Sequence, residues 1–275
     1  MSKIWNLIFR FSEDIDLAID RSVFGLEGDL TKKQLKKLRK ASSLFVKDVF
    51  AADLQNMLNE KGLDGHCTIT PDPDGKGDAT YPEPRKVHIA YKSVFGNSGP
   101  DYLQSEVLLE IGARSLFEPT AKAKVKSLVS KNSTIDTTVA DVDIISAIPE
   151  KTFLEKAFLL HELFTTSSCR HANRKSRHLY DLVKMMDEPF ARKAVTDDDL
   201  WNTIHHHREL FTSLKDVDYT PDIRKRIVLL PPEDVLKVWQ DDYKAMQESM
   251  IYGEHFTFEQ LLSKMEELQT RFHSI

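Results

Sequence analysis

The strand-like alternations in this 275-residue chain fall before Pro149, and the apolar spacing after it is mostly helical. A chain divided in this way cannot be an all-α bundle or an all-β sandwich. It predicts an α+β half over residues 1–149, built on a small mixed sheet, followed by a helical half over residues 150–275. The length suffices for two cores of modest size.

Within the first half, Phe11 to Ile19 sets Ile15, Leu17 and Ile19 on one face of a strand and Asp14 and Asp16 on the other. A long helix is expected from about Thr31 to Lys61, opened by a Thr31/Gln34 capping box. Its stripe would be Leu35, Leu38, Leu44, Phe45, Val49, Leu54 and Leu58, and Gly62 would end it. Strand-like runs come next at His66–Thr70, Val87–Lys92, Leu103–Ile111 and Thr137–Ile148. Beyond Pro149, helices are predicted over Thr152–Phe164, Ser176–Met186, Asp198–Leu214, Pro232–Ile251 and Thr257–Phe272, with breaks near Pro221 and Pro231.

The net charge of −5 gives no global basic footprint, so any nucleic acid must be held by a local patch. Cys67 and Cys169 stand far apart, outside any C-x-x-C spacing, which predicts free thiols in a reducing compartment. The apolar start is short and interrupted by Arg10, so neither a signal peptide nor a membrane span is expected and the cytoplasm is the default.

The sharpest chemical signal is Arg10-Phe11-Ser12-Glu13-Asp14-Ile15-Asp16. Two carboxylates at i and i+2 on a strand suit shared divalent metal ions, as phosphoryl and nucleotidyl transfer require, or else form a solvated polar face. Glu110 is the first choice for a third acid on a neighbouring strand, with Glu106 second. Lys156 sits in an apolar stripe with Phe153, Leu160 and Leu163, from which it either snorkels or reaches a fixed anionic partner. Arg170, Arg174, Arg177 and Asp181 recur at helical spacing, giving either a phosphate-binding face, with Asp181 orienting Lys156 or Arg177, or a solvated helix with one Arg177–Asp181 pair. Asp72 to Asp78 with Glu83 mimics a calcium loop but reads as a surface turn. Consecutive His205, His206 and His207 point in three directions and read as structural or solvent-facing. The basic run from Lys32 to Lys40 is either a solvated helix face or an RNA contact.

Taken together, RFSEDIDLAI, YLQSEVLLEIGARSLFEP and PEKTFLEKAFLLHE followed by SRHLYDL resemble the AbiEii/AbiGii nucleotidyltransferase toxin family, from the start of the chain to about Met186. The resemblance implies a polymerase-β-like minimal nucleotidyltransferase fold with a helical C-terminal domain. It also implies a toxin of a type IV toxin–antitoxin or abortive-infection system. Expected with it are Mg²⁺ or Mn²⁺, a nucleoside triphosphate substrate, an RNA acceptor such as transfer RNA, and a cognate antitoxin. By the same resemblance Asp14 and Asp16 hold the metals, joined by Glu110, which helps activate the attacking hydroxyl. Lys156 binds the triphosphate and Asp181 positions the lysine or the nucleotide, while Arg10, Ser12 and Arg177 line the nucleotide site. The family carries a Gly-Gly-Thr/Ser-Ser-Leu turn upstream of the first strand, where this chain has only Met1, Ser2 and Lys3. The expectation is therefore a chain that begins inside that motif. The alternative reading is a catalytically impaired protein of the same fold that binds nucleotide or antitoxin without turnover.

Overall fold

The computed structural model describes residues 1–12, 14–93, 105–127, 141–220 and 222–275. Glu13, the start of the expected strand at Leu103, the start of that at Thr137, and Pro221 lie outside the described residues. The chain divides into two compact units, one over residues 12–117 and one joining residues 1–11 to 118–275.

The first unit is a four-stranded mixed sheet with one long helical rod. Its elements in chain order are strand β1 (Asp14–Ala18), helix α1 (Lys32–Phe45), helix α2 (Ala51–Leu58), and strands β2 (Cys67–Pro71), β3 (Arg85–Tyr91) and β4 (Glu106–Gly112). The sheet order is β1-β4-β3-β2. β1 runs parallel to β4, while β3 is antiparallel to both β4 and β2. The capping box at Thr31 forms as the sequence predicts, with Gln34 answering the cap.

The rod is interrupted by π-helical turns at Val46–Phe50 and Asn59–Leu63, and Gly62 at φ 80° ends it. A π turn inserts an extra residue and rotates the helix beyond it. That rotation corrects the predicted stripe. Val49 is exposed, whereas Val46 and Phe50 join Phe45 and Leu54 against Val87, Leu109 and Ile111 of the sheet. A second correction falls on β1. Its expected apolar face is open, with Ile15 46% and Leu17 37% exposed while Ile19 packs on the core.

Arg85 anchors this core. Fully buried, it donates from Nε to Ser43 Oγ (2.9 Å), from Nη2 to Asp74 Oδ1 (2.7 Å) and from Nη1 to the Asp72 carbonyl. Asp74 is held by Lys47 as well, and Glu83 accepts the backbone N–H groups of Ala113 and Arg114. The calcium-like acids Asp72, Asp74 and Glu83 are thus engaged in fastening the turn to the sheet.

The second unit contains the hairpin-like pair β5 (Thr120–Val125) and β6 (Val142–Ala147), antiparallel to each other. Beyond it come helices α3 (Pro149–Phe164), α4 (Arg177–Met185), α5 (Pro189–Thr196), α6 (Asp198–Phe211), α7 (Leu236–Ser249) and α8 (Phe258–His273). α3 is buried on most sides, through Phe153, Leu154, Ala157, Phe158, Leu160 and Leu163, which makes it the central rod of this unit. Buried Glu162 on α3 accepts from Arg208 and from the Tyr219 hydroxyl, so its charge is paired inside the core. Among the described residues no helix is long and apolar enough to cross a membrane.

Replacing Arg85 by Ala removes three donors and leaves a cavity. The urea-unfolding free energy is expected to fall by about 2–4 kcal/mol. A change within about 0.5 kcal/mol, the scale of a surface substitution, would show that Arg85 is not the anchor.

Candidate functional site

The site residues predicted from sequence fall into two groups, one in each unit. In the sheet unit, Asp14 and Asp16 alternate with Ile15 and therefore share a face of β1. The parallel register sets Asp14 beside Leu108 and Asp16 beside Glu110, so Glu110 lies on that same face. The register of β3 continues the row with Lys86 opposite Glu110 and His88 opposite Leu108. Ser12 precedes the strand and donates from Oγ to the Asp14 carbonyl at 3.4 Å.

Glu110 and Glu106 on this face have basic partners from β3. Glu110 Oε1 lies 3.1 Å from Lys86 Nζ. Glu106 Oε2 lies 3.1 Å from His88 Nδ1, and Asp72 Oδ1 lies 3.0 Å from His88 Nε2. Partial burial opposes the charged ring of His88, but hydrogen bonds to Asp72 and Glu106 outweigh it and raise the pKa. Among the described residues no three acidic, histidine or cysteine side chains converge in metal-ligating geometry. The donor chemistry nevertheless fits a hard divalent cation. Asp14 and Asp16, two carboxylates on one strand face, are oxygen donors of the kind such a cation takes.

In the helical unit the organising group is Asp181, the fifth residue of α4 and fully buried. Arg10 binds it with a two-pronged fork, Nε to Oδ1 and Nη2 to Oδ2, both 2.7 Å. Lys156, from α3, brings Nζ to 3.0 Å from the same Oδ2. The lysine thus reaches a fixed anion in place of snorkelling outward, and its ammonium also lies 3.4 Å from His178 Nδ1. Burial by itself would raise the Asp181 pKa, yet the charges of Lys156 and Arg10 and the guanidinium hydrogen bonds hold it well below the usual carboxylate range. His178 shifts downward, first because it is desolvated and then because Lys156 and Arg177 are cationic neighbours, against the opposing pull of Asp181.

The expected helical face of Arg170, Arg174, Arg177 and Asp181 does not form. Arg170 ends a short 3₁₀ turn and pairs with Asp234 at 3.0 Å. Arg174 adopts φ 58°, and its backbone N–H, with that of Ser176, is captured by the Asp242 carboxylate. Helix α4 starts only at Arg177. The sequence period is helical, but a carboxylate from α7 satisfies the turn and breaks the array. Of the two cations expected beside Asp181, Lys156 is the one that grips it, and Arg10 supplies the other hold.

Sequence reasoning also missed His178, one helical turn before Asp181 and therefore on the same face, a signal available from the i, i+3 spacing alone. His205 is buried with Nε2 near the Tyr219 carbonyl at 2.9 Å, a structural role as predicted.

The pH dependence of folding has a definite sign. Asp181 titrates lower when folded than its unfolded value of about 3.9, so its contribution is complete above that pH and fades only as acid approaches the folded value. His178 also titrates lower when folded. Below about pH 6.5 the unfolded chain takes up a proton that the folded chain refuses, and stability begins to decline there. Urea titrations between about pH 6.5 and 5 should show this decline in the wild type and a flatter line in His178→Asn. Parallel lines would contradict the assignment.

Comparison with known proteins adds one positive finding. The family described as nucleotidyl transferase AbiEii toxin, type IV TA system, matches residues 1–264. No curated protein and no solved structure matches the chain.

Proposed function

The chain belongs to the AbiEii family of nucleotidyl transferase toxins of type IV toxin–antitoxin systems, and from that premise we propose that it transfers a nucleoside monophosphate from a nucleoside triphosphate to an RNA hydroxyl. Transfer RNA is one such acceptor, and the cytoplasm is where both substrates occur. Family membership implies a cognate antitoxin as a partner. The four-stranded mixed sheet, with Asp14 and Asp16 on an edge strand, supports a polymerase-β-like arrangement.

The observation that carries this reading is the anchored lysine. Lys156 comes from a buried helix and is fixed by a carboxylate that Arg10 also grips. A preorganised ammonium of this kind costs little to order when an anion arrives, which suits a triphosphate. Arg177, at the first turn of α4, and Ser12, before β1, are the further nucleotide contacts in this proposal. Arg10 acts through Asp181, holding the carboxylate that holds the lysine.

In the reaction the acceptor hydroxyl oxygen bonds to the α-phosphorus, the bond from that phosphorus to the bridging oxygen breaks, and pyrophosphate leaves. Asp14 and Asp16 would hold Mg²⁺ or Mn²⁺, which would neutralise charge developing on the phosphate oxygens. Glu110, steadied by Lys86, adds a third carboxylate to that face and helps take up the hydroxyl proton.

Incubating the purified chain with Mg²⁺, each labelled triphosphate in turn and total transfer RNA tests the proposal. Label should appear on RNA with the wild type and vanish with Asp14→Ala/Asp16→Ala. Lys156→Ala should raise KM for the triphosphate about 10–100-fold, the loss of one charged hydrogen bond. Labelling that survives the double aspartate variant would sink the assignment of the metal face.

A further inference from the structure

In the helical unit the segment before β1 carries a surface that catalysis does not use. Residues 9–11 lie beside residues 250–252, with Phe11 N–H donating to the Met250 carbonyl (2.8 Å) and Tyr252 N–H to the Phe9 carbonyl (3.1 Å). Alternation along this extended stretch turns Arg10 inward to Asp181 and leaves Phe9 and Phe11 outside. Phe9 is 37% exposed, Phe11 38% and Tyr252 55%. Phe9 and Tyr252 meet edge to face at 6.4 Å. Gly253 permits this packing, because a Cβ there would fall 2.8 Å from Phe9 Cβ.

Lysines are interleaved with the rings. Lys3 Nζ lies 5.9 Å from the centre of Phe11. Lys184 Nζ lies 5.3 Å from that of Phe9 and 5.7 Å from that of Phe256, and Lys264 Nζ lies 5.6 Å from Phe256. Singly exposed aromatics are ordinary on a protein surface. Four rings threaded by three ammonium groups on a chain of net charge −5 are a local exception. Exposed Glu254 is an acid within the same loop.

We propose that Phe9, Phe11 and Tyr252, with Lys3, Lys184 and Lys264, form a docking strip for a single-stranded nucleic-acid segment. Bases stack on the rings without regard to sequence, and the lysines complement the phosphates. An acidic peptide would also satisfy the lysines, but it offers no flat partner for a run of exposed rings, so the aromatic content favours the nucleic acid. The identification of that strand as the RNA acceptor rests on the nucleotidyltransferase reading, whereas the binding itself does not.

The test is fluorescence anisotropy of a labelled single-stranded RNA of about ten nucleotides, a length within the usual site sizes, with the full chain and without metal or triphosphate. The wild type should bind it more tightly than the same sequence as a duplex. Phe11→Ala and Tyr252→Ala should each weaken binding about tenfold, consistent with the loss of a stacking contact. Lys184→Gln should reduce the salt slope by about 0.7. Exposed Lys3→Glu provides a second reading should an aromatic variant fail to fold, again with weaker binding expected. Because binding is read without metal or triphosphate, RNA bound by a wild type that transfers no label marks failure of the catalytic proposal alone. Absence of RNA binding, preference for the duplex, or unchanged affinity in Phe11→Ala and Lys3→Glu would overturn the strip. Binding of an acidic peptide that competes fully with RNA and ignores the aromatic substitutions would overturn it in favour of a protein partner.

Discussion

A single carboxylate, fully buried and gripped by Arg10 and Lys156, sets the order of the helical unit. Its isolated burial would cost several kcal/mol. The cost is offset because two cations approach the same oxygens, one through a bidentate fork that fixes direction as well as distance. The consequence reaches beyond stability. Arg10 ties the N-terminal segment to α4, and Lys156 ties α3 to α4, so three pieces of chain distant in sequence are held by one group. The ammonium that the family resemblance assigns to phosphate is thereby placed before any ligand arrives.

The sheet unit solves a different problem. In the proposed reaction its acids serve cations, so they are not packed as Asp181 is. β1 is an edge strand, and only its neighbour β4 fixes the row that aligns Asp16 with Glu110. Lys86 and His88 continue the row and balance the negative charge of the face. Arg85, next to Lys86 in β3, turns the other way and locks the core, so one strand serves both the acidic face and the interior.

Much of this was legible in the sequence. The Asp14/Asp16 alternation, the Thr31 capping box and the stop at Gly62 depend on local chemistry and appear in the structure as the residues predict. The family was legible as well, since its motifs are short and keep their order. The features that were not legible depend on distant partners or on weak patterns. The arginine face dissolves because Asp242 of α7 captures the turn at Arg174. The helical stripe shifts because π turns insert a residue, which no periodicity of 3.6 reveals. β5 and α5 escape notice because a short run of alanines and lysines and an eight-residue helix carry too little apolar pattern. The union of Arg10 with Asp181 spans 171 positions of sequence, which no local pattern reveals.

In the proposed reaction Asp181 serves nucleotide binding by holding Lys156. Calorimetric affinity for a non-hydrolysable triphosphate analogue, measured for the wild type, Asp181→Asn, Lys156→Met and the double variant, addresses it most directly. If the carboxylate acts through the lysine, the double variant binds no more weakly than Lys156→Met alone, with a coupling of about 1–3 kcal/mol between the two positions. Additive losses would mean that Asp181 and Lys156 act independently, and the account of the cluster would be wrong.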